Sequence, residues 1–181
     1  MHENQSNDLK HSGLKDPGEM NLVEIWLRWD PTRLIAGAMG GLLAGAVMIA
    51  FASVLSVIAN KEIFYFLKLG ALPFLGASAT EFGLHWNAIW VGTAFYEIFA
   101  MILGVIFAHF TGTNSLLPLL GMGLVWGLFT WIFVFNLFIQ SFPEVLAAHF
   151  SSGAAFPVAL VFGLSMVSVA FFDRVLRGDR K

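Results

Sequence analysis

Read for polarity alone, the chain sets long apolar runs between short polar ones. Four runs are long: Leu34 to about Val57, Ala88 to Phe110, Leu116 to Phe138, and Ala154 to Phe172. A soluble helix of this length would carry a polar face at helical period, whereas these runs are apolar all round. About 20 residues at 1.5 Å rise cross a hydrocarbon core of about 30 Å, so each run is expected to be a membrane-crossing helix. Helix-start residues precede each one. Asp30 and Pro31 in "WDPTR" suit a cap and a first helical position, Asn87 suits the second run, Asn114 and Ser115 the third, and Ser151 and Ser152 the fourth.

Two flanking stretches fit no full crossing. "NLVEIWLRW" puts Leu22, Ile25, Trp26 and Trp29 on one helical side, away from Glu24 and Arg28. That pattern predicts a short helix lying in the membrane interface. "IFYFLKLGALPFLGA", Ile63 to Ala77, is short and interrupted by Lys68, Gly70 and Pro73. It is read as an interfacial or re-entrant segment between the first and second spans. The fold class that results is all-α: a polytopic four-helix membrane bundle. Residues 1–20 form a polar tail with no signal-peptide-like apolar run, expected to have little order, and 21–181 form a single membrane domain.

Charge sharpens this picture by its placement. Charged residues are only 12% of the chain, about half the share usual in soluble proteins, and residues 34–60 and 145–172 contain none. With four crossings both termini share a side, which holds Lys10, Lys15, Arg28, Arg33, Arg174, Arg177, Arg180 and Lys181. The opposite side holds Lys61 and Lys68 alone. The positive-inside bias therefore predicts a cytoplasmic (inner) membrane protein with both termini in the cytoplasm. A fifth crossing would send the basic tail outside. Trp26, Trp29, Trp86 and Trp90 fit interfacial belts, with Trp126 and Trp131 deeper. No basic cluster suggests nucleic acid, and the absence of cysteine excludes disulfides, thiolate metal sites and cysteine nucleophiles.

Glycine marks the expected helix contacts. "GAMGGLLAG" spaces Gly37, Gly41 and Gly45 four apart, with Gly40 and Ala44 beside them. In lipid, helices associate through close backbone approach, which GxxxG-type ridges permit. Packing within the chain is favoured over a dimer seam, since four spans already supply a neighbour. "GMGLVWG" repeats the pattern more loosely in the third span with Gly121, Gly123 and Gly127, and hints at two related helical hairpins. Pro157 and Gly163 in the fourth span are ordinary for a membrane helix.

One acid interrupts this apolar pattern. Between Glu81 and Glu144, Glu97 is the only Asp, Glu, Lys or Arg. Helical spacing gives its side of the second span Trp90, Thr93, Ala94, Ala100, Met101 and Gly104, a largely small-residue face suited to packing. Met48, Thr130, Gly163 and Ser165 are expected at similar depth, and no cation is, so the acid should be held neutral. Three readings follow: a hydrogen-bonded clamp between helices, a proton-carrying or ligand-binding carboxyl, or an acid awaiting Arg or Lys from another subunit. The intramembrane polar candidates are Glu97, Thr130 and Ser165.

Four possible metal ligands fall on the side opposite the termini: Glu81 and His85 in "TEFGLHWN", Glu144 and His149 in "PEVLAAHFSS". A helical turn would put Glu81 and His85 on one face, and carboxylate with imidazole suits zinc or iron; two histidines could instead bracket a haem iron. Polar residues at a water interface are the simpler reading. His109 sits at the other end of the second span, and His2 and His11 lie in the tail. Phosphate-binding glycine loops, GxSxG and HExxH are absent, so no catalytic residue, metal or cofactor is assigned.

In "GGLLAG", the glycines of the third span and the short basic C-terminus, the chain resembles small four-helix proteins of bacterial inner membranes that lack assigned activity. The resemblance is one of architecture and carries over no functional residue. The expected partners are the lipid bilayer and other membrane subunits or further copies of the chain. The expected role is a non-enzymatic packing, accessory or assembly subunit. Alternatives are a small oligomeric transporter or channel that uses Glu97 for proton coupling, and a metal or haem membrane protein that uses the outer histidines.

Overall fold

The computed structural model describes residues 30–111, 115–138 and 152–178, and helices are the only regular elements among them. Helix α1 spans Pro31–Ile58, so Pro31 takes the first helical position, where its missing N–H costs nothing. A short helix α2, Tyr65–Leu75, is followed by a single 3-10 turn, Ala77–Thr80. Helix α3 spans Trp86–Phe110. It starts earlier than expected because the carbonyl of His85 accepts the first helical bond, from Ile89, which leaves Asn87 inside the first turn. Helix α4, Leu116–Thr130, follows Ser115, whose side chain makes no capping bond. The interfacial helix expected at 21–29, the polar tail, Asn114 and Ser151 lie outside the described residues.

The third and fourth apolar runs differ from the uniform helices expected. Beyond α4 the helix widens into a π-helix over Trp131–Phe138, and Trp131 N–H reaches the carbonyls of both Gly127 and Leu128. The fourth run is two helices, α5 (Ser152–Ser165) and α6 (Ser168–Arg177), and it ends beyond Phe172. Between them Met166, Val167, Val169 and Ala170 each donate three residues back. Ser165 Oγ donates to Val161 O at 2.7 Å just before this break.

Among the described residues, four segments are long and apolar enough to cross a bilayer: Pro31–Ile58, Trp86–Phe110, Leu116–Val134 and Ala155–Arg177. Large apolar side chains point outward along them, among them Leu117, Val125 and Ile98. In water such a surface would drive aggregation, but against acyl chains it has nothing to lose. Helix α2, at eleven residues, is roughly 16 Å long and falls short of a crossing.

Small residues bring the helices together. Gly37 and Gly41 of α1 lie on Ala100, Gly104 and Ala108 of α3, and Gly123 and Gly127 of α4 lie on Ala159 and Gly163 of α5. Gly40 meets Val169, and Ser168 Oγ donates to Gly40 O at 3.3 Å, which joins α1 to α6. Phe107 and Trp126, with ring centroids 5.7 Å apart, join α3 to α4. Helix α2 lies on the first half of α3: Gly92 meets the carbonyl of Leu67, and Tyr96 stacks on Phe66 at 4.5 Å.

Candidate functional site

Polar side chains gather at three levels along the helices. The first is around Lys68, in α2. Its side chain is 1% exposed, a burial that an ammonium tolerates only when its donors are met. Three acceptors meet them: the Glu62 carboxylate, Glu81 O at 2.9 Å and Gly83 O at 2.6 Å. The second Glu62 oxygen accepts the Gly83 N–H at 2.6 Å. Gly83 takes φ +120°, which turns both its N–H and its carbonyl into this knot and favours glycine. The hydrogen bond from Lys68 holds the Glu62 carboxyl below its ordinary range, helped by the Gly83 N–H and by the nearby charges of Lys68 and His85, with burial opposing.

The second level is at the other end. Arg33, in the first turn of α1, donates through Nε to Ala108 O at 2.9 Å and through Nη2 to Thr111 O. Carbonyls at a helix C-terminus lack partners within the helix, and the guanidinium supplies them. Its Nη1 lies 3.7 Å from Oδ2 of Asp173, a buried acid of α6 whose Oδ1 accepts from Arg177 Nε at 3.0 Å. One guanidinium therefore ties α1 to both α3 and α6.

Glu97 occupies the level between. It is eleven residues from the start of α3 and thirteen from its end, roughly 16 and 20 Å along the axis. Its carboxyl fills the space that Gly45 leaves: a Cβ at Gly45 would lie 2.9 Å from Glu97 Oε2 and 3.3 Å from Cδ. Oε2 is buried and has no hydrogen-bond partner among the described residues. Neighbouring polar groups are committed elsewhere, Thr93 Oγ1 to Ile89 O at 2.7 Å and Tyr96 OH to Phe66 O at 3.2 Å. Thr130 Oγ1 is buried without a partner among the described residues, and Ser165 bonds within its own helix, so neither reaches Glu97.

The two hairpins share one contact pattern. A Cβ on Gly104 would meet Gly37 O and lie 2.6 Å from Gly41 Cα; a Cβ on Gly163 would meet Gly123 O and lie 2.6 Å from Gly127 Cα. Gly41 faces Ala100 and Met101, and Gly127 faces Ala159 and Leu160. One turn further, by this register, Gly45 and Glu97 correspond to Trp131 and Phe156. Those two rings pack edge to face at 5.3 Å.

The pairing of Glu81 with His85 on a helical turn does not form. The backbone from Glu81 to His85 is irregular, because the Glu81 and Gly83 carbonyls turn inward to Lys68. Glu144 and His149 lie outside the described residues, and among those described no three metal-binding side chains converge. Comparison with known proteins finds no matching family model, curated protein or solved structure. The functional reading therefore rests on this chain's own geometry. Sequence reasoning missed Glu62 and Asp173. The signals were present: a lysine inside an apolar stretch demands an acid nearby, and an aspartate among the basic residues of the C-terminal helix offers a partner to Arg33.

Proposed function

We propose that the chain is a multi-pass protein of the cytoplasmic membrane, a four-helix bundle acting as a non-enzymatic packing or accessory subunit. The carrying observation is the use made of charged side chains. Arg33, Asp173 and Arg177 tie three helices at one end, and Glu62 with Lys68 locks the loop and α2 at the other. These groups hold helices rather than converge on a shared cleft, the opposite of a catalytic constellation. Among the described residues the Arg33 end holds Arg33, Arg174 and Arg177, which supports placing it in the cytoplasm. Helix α2 is then a re-entrant element on the outer side, too short to cross, with Lys68 turned to the polar loop.

Purification in a mild detergent from native membranes tests this reading. A stable complex with another membrane protein is expected. A chain that elutes alone at every detergent concentration overturns it.

A further inference from the structure

Glu97 does not behave as a tie between helices. Its carboxyl touches Gly45 without a hydrogen bond to α1, and the second hairpin reproduces the same glycine contacts with Phe156 where the first has Glu97. The hairpin closes with an apolar pair at that level, so the acid answers another need. An uncompensated carboxyl at mid-membrane depth is costly and calls for a donor.

No cation among the described residues reaches it. Between Lys68 and Arg174 the sequence has no lysine or arginine, and the Lys68 ammonium is engaged by Glu62 and by the carbonyls of Glu81 and Gly83. A second copy, having the same spans, brings no cation to that depth either. The surface beside Glu97 is open and closely approachable. Ala94, one turn before it on α3, is exposed. Small exposed residues let another helix come near.

We propose that Glu97 is the docking point for a helix of a different membrane protein, one that carries an arginine or lysine at mid-membrane depth. The proposal rests on the accessory-subunit reading and names the chemistry of its partner. Charge pairing supplies the specificity and exposed alanine the clearance.

A photo-crosslinking amino acid at Ala94, in the full chain in its native membrane, tests it. The expected product joins Ala94 to a transmembrane helix bearing Arg or Lys. Glu97→Gln should lower its yield about tenfold without changing the thermal midpoint of the purified chain. Glu97→Arg combined with an acidic replacement of the partner's cation should restore it. An undiminished yield in Glu97→Gln overturns the docking point and leaves the subunit reading standing. Crosslinks only to lipid or a second copy, with no partner co-purified, overturn both. A midpoint that falls in both Glu97→Gln and Glu97→Phe would show a helix tie instead, and sink the proposal.

Discussion

Lys68 Nζ donates to the carbonyl oxygen of Gly83 at 2.6 Å, across fifteen residues of chain. That bond, with those to Glu62 and Glu81, fixes the loop beside α2 even though its Phe82 and Leu84 side chains are exposed. Replacing Lys68 with methionine keeps the length of the stem and removes every donor. The carbonyls of Glu81 and Gly83 then lose their charged partner, at a cost of about 1–3 kcal/mol. A lower unfolding midpoint in detergent is expected, together with faster proteolysis between Gly76 and His85. Unchanged proteolysis would show that the loop is held by other contacts.

Acid should open the same knot. The Glu62 carboxyl titrates below its ordinary value of 4.5 in the folded chain, chiefly because Lys68 hydrogen bonds its charged form. A depressed acid stabilises the fold fully above the unfolded value and loses that contribution as pH falls through the folded one. Loop proteolysis by an acid-active protease should therefore stay slow from neutrality to 4.5 and rise below it. Glu62→Gln should be fast at every pH and flat. A wild-type profile that opens above 4.5 would show that Glu62 is not the group that holds the loop.

The four long apolar helices were legible in the sequence because hydropathy averages over many residues, and a few side chains cannot shift that average far. Gly37 and Gly41 were legible as contact points for a similar reason, since a ridge of small residues has few other uses in lipid. What they would touch was not written locally. Gly104 and Ala108, their partners, lie more than sixty residues along the chain. The switch to three-residue bonds at Met166 has no marker in the apolar pattern, which runs unbroken through it. The knot around Lys68 was hidden in another way: Gly83 must adopt φ +120° before Glu62, Glu81 and Lys68 can meet. Glu97 stood out at once as a lone acid. That its carboxyl lies against Gly45 without a donor needed the structure.

Glycines of equal helical context should respond very differently to alanine. At Gly104 a Cβ would lie 2.6 Å from Gly41 Cα and 2.9 Å from Gly41 N, both backbone atoms that cannot step aside. Gly104→Ala must push α1 and α3 apart, with an expected cost of about 1–3 kcal/mol. At Gly121 a Cβ meets nothing within 4 Å, so Gly121→Ala should be neutral or gain up to about 1 kcal/mol of helix propensity. Reversible unfolding in mixed detergent micelles measures both. Equal effects would remove the glycine contact between α1 and α3 as a source of stability.

The tie at Arg33 makes a separable prediction, because Arg33 serves two helices through different acceptors. Asp173→Asn keeps the side-chain shape, and its amide oxygen still accepts from Arg177, but it cancels the charge facing Arg33 at 3.7 Å. Arg33 retains its bonds to Ala108 O and Thr111 O, so α1 and α3 should stay joined while α6 loosens. Asp173 is buried, so the loss should be about 2 kcal/mol, within the range for hydrogen bonds to charged groups. Arg33→Met removes all these interactions and should cost more. A double mutant no worse than Arg33→Met alone would show that Asp173 acts through Arg33. Amide hydrogen exchange separates the helices: faster exchange confined to Ser168–Arg177 is expected in Asp173→Asn, and faster exchange at the end of α3 as well in Arg33→Met. Exchange spreading over α3 in Asp173→Asn would mean that the two acceptor sets are not independent.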